Sequence, residues 1–253
     1  MVLHLYLYNI QDMQILQTLY KLIYQKHINH VLRTINYSFR FCLPKKFKIP
    51  PSGILNLKTE TGKIKIATNQ TSYLTQLLFW NGYKAFEYSG IFEKLSKHMG
   101  CFLDIGANTG YYSLLAANAN PGITIYAFEP AFGPKYFLQK NIQLNNFQDK
   151  IKAIDIALSN QIGEIIFYEV KSLKYKNLKY NLAGEGNAGT KTTSRNFIKN
   201  TVTATTLEQF TINEKLTNID LIKIDTEGTE IDILNSGKEV IKKFQPIIIC
   251  ETL

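Results

Sequence analysis

The chain has 253 residues, 45% of them hydrophobic, and a formal net charge of +9, which suits one large domain with an appendage and a full apolar core. Its opening stretch, 1–11, is too short to cross a bilayer and lacks the basic start and small-residue cleavage site of a secretory leader. Cys42, Cys101 and Cys250 are odd in number and far apart, which argues against a disulfide framework and for a reducing, cytoplasmic setting.

Residues 1–50 hold seven Lys/Arg against Asp12, and residues 171–200 hold seven against Glu185, so the rest of the chain is mildly acidic. The first segment carries Met13, Leu16, Leu19, Tyr20 and Ile23 at helical spacing and predicts one or two amphipathic helices over 10–40. Its basic character admits peripheral contact with an anionic membrane or an acidic substrate, against the plainer reading of a solvated Lys-rich face. His27 and His30 are three apart with no third ligand in view, so no metal is expected there. Pro44, Pro50, Pro51 and Gly53 then mark a linker. The reading divides the chain into a helical appendage at 1–50, a connecting unit at 51–100 and a core at 101–253.

Ile54–Thr68 alternates apolar and polar residues around Glu60-Thr61-Gly62 and predicts a hairpin. Tyr73–Tyr88 predicts a helix, followed by another ending near Met99-Gly100. From Cys101 the rhythm becomes strand, helix, strand: strands at Cys101–Ile105, Ile123–Phe128 and Ile151–Ala157, with helices at 111–118 and from Pro134 to about Asn145. Short helices between short apolar strands predict a parallel sheet with right-handed crossovers. Glu164–Val170 and Thr201–Thr206 predict an antiparallel addition, separated by a long basic Gly/Asn/Thr-rich loop that is either functional or disordered. A fourth core strand is expected at Ile219–Asp225, a helix from about Gly228, and a fifth strand at Pro246–Glu251.

The loop after the first core strand is the natural cradle of such a sheet. Asp104, Gly106, Asn108 and Gly110 form D-x-G-x-x-x-G, and Glu129 follows nineteen residues after Gly110, at the end of the second core strand. A dinucleotide fits poorly, because Asn108 and Tyr111 stand where the second and third glycines of its fingerprint belong. S-adenosylmethionine fits better. Asp104 can answer its ammonium or organise the loop amides, the bare backbone and Asn108 can answer its carboxylate, and Glu129 can accept both ribose hydroxyls.

"FLDIGANTGYYSL" (Phe102–Leu114), "FEP" (Phe128–Pro130), "NIQLNN" (Asn141–Asn146), "ALSNQIGEIIFY" (Ala157–Tyr168) and "LIKIDTEGTEIDIL" (Leu221–Leu234) stand in the order that resembles the FkbM family of methyltransferases. The resemblance spans about Phe79 to Glu251. It implies an α/β class I methyltransferase fold, a Rossmann-like sheet with helices on both faces, that depends on S-adenosyl-L-methionine and acts on hydroxyls of sugars, glycans or polyketide-like metabolites. It also implies that Asp104, Gly106, Asn108 and Gly110 are the methionine-binding loop, Glu129 the ribose carboxylate, and the neighbourhood of Ile156 and Ala157 the adenine wall. The family commonly has Val where this chain has Thr226. A full class I sheet has two more strands after the fifth, so a truncated sheet is expected here, with a partner or the N-terminal region covering the open edge.

Transfer to a hydroxyl gains from a general base. "KIDTEG" ends the fourth strand on the rim of Gly106, which makes Asp225 and Glu227 the candidates, with Glu251 behind them. Two carboxylates at this spacing are weak grounds for a metal, and none is expected. The expected partner is a small-molecule or glycan acceptor. No motif joins the aromatic and basic residues into a nucleic-acid site. The competing reading is a non-catalytic, methyltransferase-like binding module that docks to a surface through its basic N-terminal segment.

Overall fold

A computed structural model describes residues 14–172, 174–175, 178–183 and 197–251. Two helices, α1 at 14–23 and α2 at Lys26–Ser38, precede the hairpin of β1 (Gly53–Lys58) and β2 (Lys63–Thr68). The predicted Tyr73–Tyr88 helix is broken at Gly82. α3 covers Tyr73–Asn81, and after a single 3-10 turn α4 covers Ser89–Ser96. Gly82, with φ of 81°, sits where the chain reverses.

β3 (Cys101–Ile105) is followed by α5 (Tyr111–Ala119), β4 (Thr124–Phe128), α6 (Phe132–Leu144) and β5 (Ile151–Ile154). The predicted third strand is shorter than expected. The chain leaves the sheet after Ile154, and β6 (Ala157–Leu158) joins a second sheet with β7 (Gly163–Val170) and β8 (Phe197–Thr205), where Ala157 packs with Ile165 and Ala204. β7 and β8 form the expected antiparallel pair. Of the long basic loop between them, 173, 176–177 and 184–196 lie outside the described residues. α7 (Leu207–Asn213), β9 (Leu221–Ile224), α8 (Glu230–Ser236), α9 (Lys238–Phe244) and β10 (Ile247–Cys250) complete the order.

The five central strands pair in the order β10-β9-β3-β4-β5, all in parallel. The order reverses between β3 and β9, which makes the ends of those strands the switch point of the sheet. This is the class I α/β arrangement. Alternate residues of β3 serve opposite faces, as the pleat requires. Phe102 faces α4, α5, α6 and the hairpin in a cluster with Phe92, Leu114 and Ile142. Leu103 and Ile105 face α7, α8 and α9 through Leu207, Ile233 and Val240. The strands are largely apolar because both faces are covered, with Asp104 of β3 and Lys223 of β9 as buried exceptions.

α7 escapes the sequence reading, which passes from Thr206 straight to the next strand. It is capped by Thr206, whose hydroxyl accepts the Gln209 N–H. The Thr-x-x-Gln spacing is half of a capping box and was the available signal. The described part of the sheet ends on β10, with Ile247 43% exposed.

Candidate active site

The carboxyl ends of β3, β4 and β9 open into a cleft of about 370 Å³. Gly106 lines it and Gly110 starts the helix behind it, and each needs to be glycine. Gly106 has φ of 77°, and a Cβ there would stand 1.9 Å from the Asp225 carbonyl oxygen. Gly110 has φ of 86°, and its Cβ would meet Leu138 at 2.6 Å. The Gly106 and Ala107 amides donate to the Phe128 carbonyl at 3.1 and 2.9 Å, folding the loop back onto β4.

Glu129 is 6% exposed and is held by backbone alone. Its Oε2 accepts the Asn108 N–H at 2.7 Å and its Oε1 accepts the Ala131 N–H at 2.8 Å. Each oxygen retains acceptor capacity, and the residue lines the cleft. Burial pushes its carboxyl up to about 7, and the two amides oppose that. Ile156, Ala157 and Leu158 supply an apolar wall beside it. A diol-bearing, partly apolar ligand fits this donor set; Gly106 leaves no room for a side chain beneath it.

Asp104 does not line the cleft. It is 0% exposed beneath the loop, and its Oδ2 accepts the Ser113 hydroxyl at 2.6 Å, anchoring α5. Its Oδ1 is buried and makes no hydrogen bond to any described residue. Burial pushes its carboxyl upward, with the Lys223 ammonium opposing. Gly110 also lies outside the lining, as the left-handed residue that starts α5. Gly106, Asn108, Glu129, Ile156, Ala157, Asp225 and Glu227 do line it.

A charged ladder crosses the rim. Asp104 and Lys223 are direct neighbours in the β3–β9 register. The Lys223 Nζ, 2% exposed as a residue, donates to Asp225 Oδ2 at 2.9 Å. Burial disfavours its ammonium, yet Asp225 and Asp104 hold it at about 12. Asp225 is pushed upward by burial, but Lys223 and a hydrogen bond with Glu251 keep it below the ordinary carboxylate value. Glu251 rises to about 7, because it holds the proton it donates to Asp225 and faces that residue's charge. The Asp225, Glu227 and Glu251 carboxylates offer oxygens within 4.8 Å of one another, close enough to grip one cation.

Sequence reasoning missed a further part of the cleft lining. Tyr73 and Leu77 of α3, Glu87, Tyr112 and Leu182 supply it. Leu182 is brought there from the basic loop, where Tyr180 stacks on Tyr136 at 4.1 Å and the Leu182 N–H donates to Thr71 Oγ1. No local pattern marks these residues, because tertiary packing alone assembles them.

The sequence profile described as the Methyltransferase FkbM domain matches residues 104–252. Methyltransferase sdnD of Sordaria araneosa is 30% identical over 156 residues, covering 54% of this chain and 60% of that protein. The chain therefore spans about 60% of that relative's length. Among solved structures, precorrin-6y C5,15-methyltransferase of Geobacter metallireducens aligns over 64% of this chain and 60% of its own, at 12% identity and a TM-score of 0.37. An O-methyltransferase of Bacillus cereus in complex with SAH aligns over 64% and 52%, at 16% identity and a TM-score of 0.36.

Proposed function

The chain belongs to the FkbM family of methyltransferases, and from that premise we propose that it is an S-adenosylmethionine-dependent O-methyltransferase acting on a hydroxyl of a sugar, glycan or secondary metabolite. One observation carries the reading. Glu129 ends β4 inside the cleft, with each oxygen fixed by a single backbone amide and free to accept again. That is the arrangement a ribose diol requires.

In the proposed complex, Glu129 accepts the two ribose hydroxyls. Ile156 and Ala157 flank the adenine, and the backbone of Gly106 to Asn108 permits close approach of the methionine portion. Asp104 acts from below, anchoring α5 and balancing Lys223. S-adenosylmethionine supplies a methyl group already activated by its sulfonium, so the protein's task is mainly positioning and exclusion of water. The acceptor would occupy the same cleft, which Tyr73, Leu77 and Glu87 also line. The cofactor, when bound, would supply the methyl group and leave as the neutral thioether once its sulfonium–methyl bond breaks; Asp225, with Glu251 and Glu227 beside it, would take the acceptor hydroxyl's proton. Lys223 is a positioning residue that holds Asp225.

The test is titration calorimetry with S-adenosylmethionine, followed by transfer of a labelled methyl group to fractionated glycans and metabolites. Glu129→Ala is expected to weaken binding roughly 100-fold, the loss of two hydrogen bonds to a charged group. Equal affinity in the variant overturns the reading. Wild-type binding without transfer to any fraction instead supports the binding-module alternative.

A further inference from the structure

α2 buries polar side chains beside the half-buried Ile28, Leu32 and Tyr37, the last packed on Phe79 and Trp80, and leaves other apolar side chains outside. The residues it buries are Asn29, 0% exposed, and Arg33, 3% exposed. Asn29 Oδ1 accepts the Ser52 N–H at 2.7 Å, and its Nδ2 donates to the Pro50 carbonyl at 3.1 Å. Arg33 donates to the Ser52 and Ile54 carbonyls at 2.9 and 2.8 Å. Its exposed side chains include Val31, Ile35 and Phe39, four residues apart and 56%, 55% and 62% exposed, alongside the polar His27, His30, Thr34 and Ser38. α1 behaves alike. Gln17 donates to the Lys174 carbonyl and Tyr20 packs on Tyr175, whereas Ile15, Leu19 and Leu22 remain 58%, 48% and 55% exposed. Phe41, at 85%, and Phe47, at 57%, continue the apolar surface beyond the helices. Amphipathic helices ordinarily turn their apolar stripe inward, and an exposed apolar surface of this extent marks a site of association.

Charge selects the occupant. Residues 14–50 contain seven Lys/Arg and neither Asp nor Glu. Arg33 is spent on the hairpin; Lys21, Lys26, Arg40, Lys45, Lys46 and Lys48 are exposed or half-buried. Cations and apolar rings share one surface: the Arg40 guanidinium lies 4.3 Å over Phe41 and the Lys46 ammonium 5.1 Å over Phe47. A second copy would set like charge against like. An anionic bilayer offers both complements at once, an acyl boundary for the apolar side chains and phosphate headgroups for the cations. No helix of the described residues is long and apolar enough to span a membrane. We propose that α1, α2 and the segment through Phe47 form a peripheral docking surface for anionic lipid bilayers. This inference stands apart from the methyl-transfer reading.

The experiment is flotation of the full chain with vesicles of phosphatidylcholine alone or with roughly one-third phosphatidylserine, at low and high salt. Three proteins are compared: wild type, the combined Val31→Ser, Ile35→Ser, Phe39→Ser variant, and the Lys45→Glu, Lys46→Glu variant. Circular dichroism and thermal melting establish that each is folded; the substituted side chains face outward, so folding is expected to persist. Wild type is expected to float with anionic vesicles only, less at high salt, and the serine variant at least about tenfold less. The glutamate variant is expected to lose most of the preference for phosphatidylserine. Failure of wild type to float with anionic vesicles at low salt overturns the proposal, as does flotation of either variant at the wild-type level. If ultracentrifugation shows wild type self-associating and the serine variant monomeric while vesicle binding is unchanged, the surface joins two copies and the lipid assignment falls.

Discussion

Glu129 shows how backbone geometry sets a side chain's chemistry. Its burial places its titration near 7, well above the ordinary glutamate value. A ribose diol donates to the ionised form, so binding lowers this pKa and releases a proton wherever free Glu129 is protonated. Affinity is therefore expected to rise with pH up to about 7, by at most tenfold per unit, and to flatten above it. Calorimetry between mildly acidic and mildly basic pH, in buffers of different ionisation heat, reads both the affinity and the proton release. A pH-independent affinity would separate Glu129 from the diol. Lys223 is the counter-case, a buried cation held by Asp104 and Asp225. Lys223→Met leaves those carboxylates without their countercharge. Because the Asp225 side chain is 37% exposed, solvent absorbs part of the loss, and about 2–3 kcal/mol is expected rather than the full cost of breaking a buried pair. The deficit should shrink as acid protonates the two carboxylates, which chemical denaturation at neutral and acidic pH will measure. Of these features, Glu129 and the glycine loop were legible in the sequence, since their types and spacing are tied to a strand end. The depth of Asp104 was not. Spacing places a residue along a strand, but the identity of the helix packed above it, here α5 with Ser113, decides whether it meets ligand or core.

Among the elements, the hairpin is tied to the sheet layer by two asparagines of α6 and the turn after it. Asn141 Oδ1 accepts the Ala67 N–H at 2.6 Å while its Nδ2 donates to the Thr109 carbonyl at 2.8 Å, joining β2 to the cleft loop. Asn145 repeats the clamp on Lys65, at 2.8 and 2.7 Å. Replacing Asn141 by Leu leaves the Ala67 N–H and the Thr109 carbonyl buried without partners, at a cost of about 2–4 kcal/mol. Thermal unfolding of Asn141→Leu should show a fall of several degrees, and Asn145→Leu, nearer solvent, a smaller one; equal melting of Asn141→Leu and wild type would refute the clamp. The hairpin itself was legible from period-two alternation, and the parallel strands from their short, largely apolar runs between short helices. α7 was passed over because seven residues barely express a helical period and their burial comes from the opposite face of the sheet.

For the whole molecule, α2 is joined to the hairpin and the segment before it by polar bonds, while Tyr37 packs on Phe79 and Trp80 and Tyr20 and Tyr24 pack on Tyr175. The helical spacing of Leu16 and Leu19 was read correctly from sequence. The sequence reading did not say which side of the helix meets water, because periodicity states which residues share a face and nothing about where that face points. Arg33 supplies two of the bonds to the hairpin, so Arg33→Ala is expected to cost about 2–3 kcal/mol. The loss should be confined to the first part of the chain. Hydrogen exchange would show faster exchange at Ile54 to Leu57 and unaltered protection in β3 and β4; uniform loss of protection would contradict this.

The polar seating of α2 also has a kinetic consequence. Asn29 and Arg33 can find their carbonyl and amide partners only once the backbone at Pro50 to Ile54 has its final shape, so this contact belongs to the end of folding rather than its beginning. Weakening it should hasten the departure from the native state while leaving the refolding rate nearly unchanged. The outermost pair of helices would then be the first part of the protein to detach under stress.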